Sequence, residues 1–405
     1  MSDGHDECGG SDGRRGEGRA HRGWALFTIL CMTFMETLDG TIVNVALPTM
    51  QAELCVEATQ IQLVASAFLV VTCPFLLVLG RLGDIVGKAR VFQLGVVLFT
   101  AGSALVGARV VQALGVAASL ANNQGIITEM FAESRGRALG LVATFTALGA
   151  MAGPTIGGAL VSALPWESIF VINLPIGLVS LLVGLRVLPN RRPTERHSFD
   201  VVGALLVVPS ILLLFVAITL MDSGVSPTAL AALAVGAALL VAFVLAERRQ
   251  EEPLVRLEVF RSASFDIDLV SMVLVFLGLS LLTLSTPVSS IVPMLMFTSL
   301  GSAVFQSPNN SLIMGHAAPE TLGFVGSLGN LMRYLGQSLG VTVSMGVLYG
   351  AMSARAGRVV TSYVPGEPEL FMAGLSTVFR VLAALVLVGL ALSLVRTLVI
   401  DRRHR

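Results

Sequence analysis

The stretch WALFTILCMTFMETLDGTIVNVA, residues 24–46, decides the fold. It is apolar over the roughly 20 residues that a helix needs to cross hydrocarbon. Residues 1–22 before it form a polar tail rich in Gly and Arg. A secretory signal would have a shorter apolar core and a small-residue cleavage site after it. The stretch therefore reads as a first spanning helix that stays in the membrane.

Eleven more apolar runs follow, at 61–79, 91–107, 110–130, 138–164, 169–188, 201–220, 229–246, 269–284, 291–314, 324–349 and 371–395. Of the 405 residues, 54% are hydrophobic and only 13% charged. Soluble domains carry about 25% charged residues. The expected fold class is all-α, a polytopic bundle of membrane helices. The bilayer is its first partner. Net charge is zero, and nothing in the composition points to nucleic acid.

The cations are unevenly placed. With a cytoplasmic amino terminus, twenty-one of the twenty-six Lys and Arg residues fall in inner segments, and only Arg355 and Arg358 in an outer one. Arg109, Arg333 and Arg380 fall inside spans. This is the positive-inside bias of a genuine topology, and it predicts a multi-pass cell-membrane protein with both termini cytoplasmic. The expected organisation is a tail at 1–22, a six-helix bundle at 23–190 and two further spans within 191–247. A cytoplasmic connection at 248–268 and a second bundle at 269–405 complete it.

No enzyme motif appears. The cysteines Cys8, Cys31, Cys55 and Cys73 form no CxxC pair, and the five histidines lie in tails or connections. HExxH is absent, and GxSxG occurs in the polar tail at Gly9 to Gly13 and inside an apolar run at Gly336 to Gly340, settings unlike the strand-to-helix turn that a nucleophilic serine needs. Gly83 to Lys88 lacks the spacing and hydroxyl residue of a P-loop. The expectation is no enzyme, no metal and no bound cofactor.

Asp39 lies within the first run. A carboxylate at membrane depth costs about 2.5–3.5 kcal/mol on insertion scales. Burial disfavours the charged form, which fits such a group for taking up and releasing a proton. Glu36 is three residues earlier, on nearly the same helix face. Two acids there can share a proton or bind a cation; the plainer alternative is a hydrogen bond to a neighbouring helix. Arg109, followed by Gln112 and Gly115, keeps its charge when buried and needs a partner. It reads as a counter-charge for a titrating acid, against snorkelling to a helix end. Arg333 is a second candidate for a buried counter-charge. Arg380 sits where snorkelling is the better account.

Two further motifs stand out. Gly80-Arg81-Leu82-Gly83-Asp84-Ile85-Val86-Gly87-Lys88-Ala89-Arg90 joins the second and third runs. Its glycines suit a tight turn, and Asp84 can cap a helix and pair with Lys88 or Arg90. In the fifth run, Gly149, Gly153, Pro154, Gly157 and Gly158 combine small residues four apart with a helix-bending proline.

These residues resemble the major facilitator superfamily, and within it the fourteen-span drug–proton antiporters. Asp39 with Thr41 to Pro48 is similar to the first-span signature of that group. Gly80 to Arg90 resembles the superfamily's loop motif, and Arg109, Gln112 and Gly115 its fourth-span motif. Gly149 to Gly158 matches the antiporter motif at each fixed glycine and at the proline. Trp166 to Gly177, Phe199 to Gly203, Ser307 to Asn310, and Arg333 with Gly336 and Gly340 also resemble the group.

The resemblance implies efflux of small hydrophobic or cationic compounds such as drugs or antibiotics, energised by the proton gradient. Two bundles would rock around a midplane site. Asp39, Arg109 and Glu36 would couple protons, Gly80, Asp84, Gly87, Lys88 and Arg90 would latch the inner face, and the fifth-span bend would gate. Ile85, Ala89 and Ala113 depart from the pattern. Twelve runs against fourteen spans read as a shortened member, with a helix pair missing near residues 262–268. The alternative is a transport-defective remnant that only binds or assembles.

Overall fold

The computed structural model describes residues 10–56, 58–105, 108–189, 200–221, 226–247, 276–283, 286–287, 290, 293, 322–358, 360, 364 and 366–399. Ten of the twelve apolar runs fall on helices there: α1 (Gly10–Leu54), α2 (Ala58–Val86), α3 (Lys88–Ala104), α4 (Arg109–Met130), α5 (Arg135–Ala163), α6 (Ser168–Val171), α7 (Asn173–Val187), α8 (Val201–Met221), α9 (Pro227–Glu247), α10 (Leu322–Ala356) and α11 (Pro368–Val399). Of the run at 269–284, residues 276–283 are described and 276–280 are helical; the run at 291–314 is described only at 293, and the connection at 248–268 and the Ser307–Asn310 motif lie outside the described residues.

Two boundaries differ from expectation. α1 begins at Gly10, so the polar tail is helical for much of its length. The run at 169–188 is two helices rather than one. Pro175 explains the break: it has no N–H to offer the carbonyl of Val171, so the ladder is interrupted between α6 and α7. Together they still make a 20-residue apolar unit, Ser168–Val187.

Six helices among the described residues are long and apolar enough to cross a membrane by length and composition. α4 is not one of them, for a physical reason. Gln112, Ser119, Asn122 and Asn123 lower its hydropathy, yet all four are buried. α4 packs on α1, α2, α3 and α5, so its polar groups meet protein rather than lipid. The apolar side chains face outward instead. Met151 on α5 is 73% exposed, Leu205 on α8 69%, and Leu178, Leu182 and Leu185 form an exposed row on α7. A water-facing surface would not tolerate such a band.

The chain forms two compact units. The first comprises Met1–Leu212, Leu239–Leu254 and Ala317–Met332. Within it α1 lies along α5 and α7, and α3 along α4. Phe92, Phe99, Phe170, Met32, Met35 and Ile42 are fully buried at its centre. The second comprises Leu213–Ala238, Val255–His316 and Arg333–Arg405. Leu348, Met352, Val360, Leu370 and Val378 form its core. Phe276 stacks on Phe379 with ring centres 6.4 Å apart.

The fifth-run motif is a seam between α5 and α1. A methyl group at Gly149 would lie 2.5 Å from the Phe34 carbonyl, and one at Gly157 2.8 Å from Ile42 Cγ1. At Gly153 it would press on the Thr41 side chain and come within 3.2 Å of the Ile42 nitrogen. Gly158 points into open space. Gly153→Leu should therefore force the helices apart and destabilise the fold by about 1–3 kcal/mol, whereas Gly158→Leu should leave it unchanged. Thermal unfolding of the two variants in detergent checks this, and equal melting temperatures would refute the seam.

Candidate functional site

Asp39 is fully buried on α1, and three side chains donate to it. Arg109 Nη1 lies 2.6 Å from Oδ2 in an ion pair. Gln112 Nε2 donates to Oδ1 at 2.9 Å. Asn173 Nδ2 donates to the same oxygen at 2.8 Å. Ser103 on α3 ties the cluster together, accepting from Gln112 Nε2 at 2.8 Å and from Asn173 Nδ2 at 3.2 Å. Its own hydroxyl donates to the Phe99 carbonyl at 2.8 Å. One carboxylate thus joins α1, α3, α4 and α7.

The cation is enclosed as well. Arg109 is 4% exposed, and its Nη1 also donates to Gln112 Oε1 at 2.6 Å. The guanidinium lies 4.8 Å from the Phe68 ring centre and 5.5 Å from that of Phe170. Aromatic faces stabilise a desolvated cation. Arg109 therefore does not snorkel: it is a buried counter-charge to Asp39.

The polar contacts between α1 and α4 continue beyond Asp39. Glu36 is hydrogen-bonded to the Ser119 hydroxyl. Asn123 Nδ2 donates to Thr33 Oγ1 at 3.4 Å. Residues 33, 36 and 39 follow the helical repeat of α1, so all three face α4. Glu36 and Asp39 do lie on one face, but they take different partners.

The loop motif forms a second cluster. Asp84 accepts from the backbone N–H of Gly323 at 2.9 Å, at the first turn of α10. A carboxylate there meets unpaired N–H groups and the positive end of the helix. Lys88 Nζ lies 3.0 Å from Asp84 Oδ1 and 2.7 Å from Glu129 Oε1. Burial works against the Lys88 charge, but Asp84 and Glu129 outweigh it and hold the ammonium pKa above the ordinary value of 10.5. The raised pKa means that the pairing is fully present below pH 10.5 and is lost only as pH rises through the higher folded value. Gly80 sits against Gly323 and Ser327, and Gly83 against Asn122, where any side chain would collide. Gly87, at φ 117°, alone separates α2 from α3. Arg90 is partly buried beside this cluster, at the start of α3.

Arg333 departs from expectation. It is only partly buried, and its guanidinium lies 5.3 Å from the ring centre of the neighbouring Tyr334. A long side chain can reach an aromatic neighbour without entering the core.

Sequence reasoning singled out Asp39, Glu36 and Arg109 and noted Gln112, but missed Asn173, Ser103, Ser119 and the two aromatic rings. An asparagine inside the 169–188 run was the one visible signal. Serine and phenylalanine in an apolar run give none.

Comparison with known proteins places this geometry in a family. Residues 29–341 match the Major Facilitator Superfamily, and the chain belongs to it. It is thus a multi-pass membrane protein of a transporter family. The riboflavin transporter RibZ of Clostridioides difficile is 29% identical over 400 residues, covering 78% of this chain and 86% of RibZ. The puromycin resistance protein pur8 of Streptomyces alboniger is 34% identical over 261 residues, covering 61% of this chain but 50% of pur8. The chain thus matches about half the length of pur8.

Solved structures share the fold. The human organic anion transporter MFSD10 superposes with a TM-score of 0.58 at 15% identity, over 92% of this chain and 99% of that one. A bacterial homologue of the human drug peptide transporters PepT1 and PepT2 gives 0.57 at 15% identity, over 95% and 100%.

Proposed function

We propose that the protein is a proton-coupled exporter that exchanges protons for small hydrophobic or cationic compounds such as drugs or antibiotics. The observation that carries this reading is the buried Asp39–Arg109 pair with its two further N–H donors, Gln112 and Asn173. A charge pair costs several kcal/mol to bury, and ionisable groups at membrane depth mark ion and proton pathways. Asp39 would take up a proton when the pair opens and release it when the pair re-forms. Asn173 suits that cycle. Its Oδ1 is buried without a hydrogen-bond partner, and half a turn of the amide would present this acceptor to a protonated Asp39 in place of the donor.

The resistance protein among the relatives supports an antibiotic-like substrate, while RibZ is named for riboflavin. The Asp84–Gly323 contact would latch the loop to α10, and the α5 seam would flex at Pro154. Both termini would be cytoplasmic.

The test uses everted vesicles carrying the chain: an imposed pH gradient should drive accumulation of ethidium. No accumulation above empty vesicles would reject transport. One observation favours the second reading, a remnant that binds or assembles. The RibZ match runs over 400 residues yet takes in 78% of the 405 here, so RibZ carries stretches within the match that have no counterpart in this chain. Ethidium binding without proton-driven accumulation would support that reading.

A further inference from the structure

The two acids on α1 are equally enclosed, at 0% exposure for Asp39 and 3% for Glu36, yet their partners differ in kind. Each partner of Asp39 is an N–H donor, and one carries full positive charge. Only an acceptor is needed there, so Asp39 is the ionised acid. Among the described residues Glu36 has a single side-chain hydrogen-bond partner, the Ser119 hydroxyl. That hydroxyl is also within hydrogen-bond reach of the Gly115 carbonyl at 3.0 Å and the Val116 carbonyl at 3.1 Å. A serine has one hydrogen to give but two lone pairs with which to accept. Two directions fit these contacts: the Ser119 O–H donates to an ionised Glu36, or the Glu36 O–H donates to Ser119 Oγ while the Ser119 O–H donates to a backbone carbonyl of α4. Only the second, which requires a proton on Glu36, avoids a buried charge.

The surrounding charges agree. Along α1 the next ionisable group is Asp39, which is negative. From α4, Arg109 is engaged by Asp39 and Gln112, and Glu129 by Lys88. Asp84 of α2 is engaged by Lys88 and the Gly323 N–H, and α6 has no ionisable residue; among the described residues the side chain hydrogen-bonded to Glu36 is that of Ser119. An ionised carboxylate so placed would be a buried charge with one hydroxyl for compensation, which the interior does not tolerate.

From this hydrogen-bond pattern we infer that Glu36 holds a proton, oriented by Ser119, while Arg109 keeps Asp39 ionised one helical turn away. The inference rests on the exporter reading only for its role in transport. When the Arg109 pair opens, the proton leaves the Glu36 carboxyl and arrives on an oxygen of Asp39. Glu36 is left as a carboxylate only while Arg109, released by the now neutral Asp39, supplies its counter-charge, and the Ser119 O–H turns from the backbone to donate to it. Reloading reverses these moves. Glu36 is thus the storage site and Asp39 the exchange site, and the two do not share one proton symmetrically.

Infrared difference spectroscopy of the purified full chain at neutral pH tests this through the C=O stretch of a protonated carboxylic acid. The wild-type band should vanish in Glu36→Gln and persist in Asp39→Asn. It should shift in frequency in Ser119→Ala and hold its place in Ser119→Thr. Should Glu36→Gln fail to fold, the two Ser119 variants decide, since only a protonated partner of Ser119 responds to loss of the hydroxyl. A wild-type chain without the band, a band lost in Asp39→Asn but kept in Glu36→Gln, or a band unmoved by Ser119→Ala overturns the assignment. The expected bands with no ethidium accumulation would remove the exporter reading and leave the protonated Glu36. Accumulation with the wrong band would do the reverse.

Discussion

Asp39→Asn is expected to abolish proton-driven accumulation of ethidium in everted vesicles while leaving ethidium binding in place. The amide has nearly the shape of the acid, so Gln112 and Asn173 keep an oxygen to which they can donate. What it lacks is an exchangeable proton. It also lacks the charge that meets Arg109, and removing one partner of a buried pair costs about 3–5 kcal/mol. The variant should therefore melt earlier as well as fail to transport. Accumulation at more than a tenth of the wild-type level, a difference of about 1.4 kcal/mol in the driving step, would show that the proton is exchanged elsewhere.

The second large effect belongs to the other half of the pair. Arg109→Ala leaves Asp39 with two neutral donors and no cation, again about 3–5 kcal/mol. It also empties the space between Phe68 and Phe170, where each ring contributes about 0.5–2 kcal/mol to a desolvated cation. This single variant should be the least stable of the set. Residues in direct contact do not add. The double variant Asp39→Asn with Arg109→Gln, which buries no charge, should recover much of the lost melting temperature and none of the transport. Thermal unfolding of both singles and the double, with ethidium accumulation alongside, decides the matter. A double variant as unstable as the two single losses combined would mean that the pair is not the unit described.

The charged members of this site were legible because a carboxylate or guanidinium in an apolar run is expensive and so conspicuous. Asp39 and Arg109 were singled out on that ground, and the structure brings them together. The same logic misplaced Arg333, because depth along a helix does not say which face a residue occupies. Asn173, Ser103 and Ser119 were hard to see for the opposite reason: an uncharged polar residue in a membrane helix costs little and draws no notice. Their importance arises from the packing of α3, α4 and α7 around α1, which no single run contains. The same holds for α4, which reads as a poor membrane helix because it is the one enclosed by others. Helix positions were read well from length and hydropathy. The split of 169–188 was visible in principle at Pro175, whose missing N–H acts whatever the surroundings. The sequence groups Gly149, Gly153, Gly157 and Gly158 together, and only the packing of α5 on α1 separates Gly158, which faces open space, from the three that form the seam.

A single residue, Gly87, connects α2 to α3 with no slack. Its positive φ is open to glycine and strained for any residue with a side chain. Two helices joined so tightly behave as one lever: a displacement at one end of α2 must reappear in α3 rather than dissipate in a flexible loop. Spin labels fixed on the outer faces of these two helices should therefore hold a constant separation under every pH and ligand condition, providing an internal ruler against which motion elsewhere can be measured.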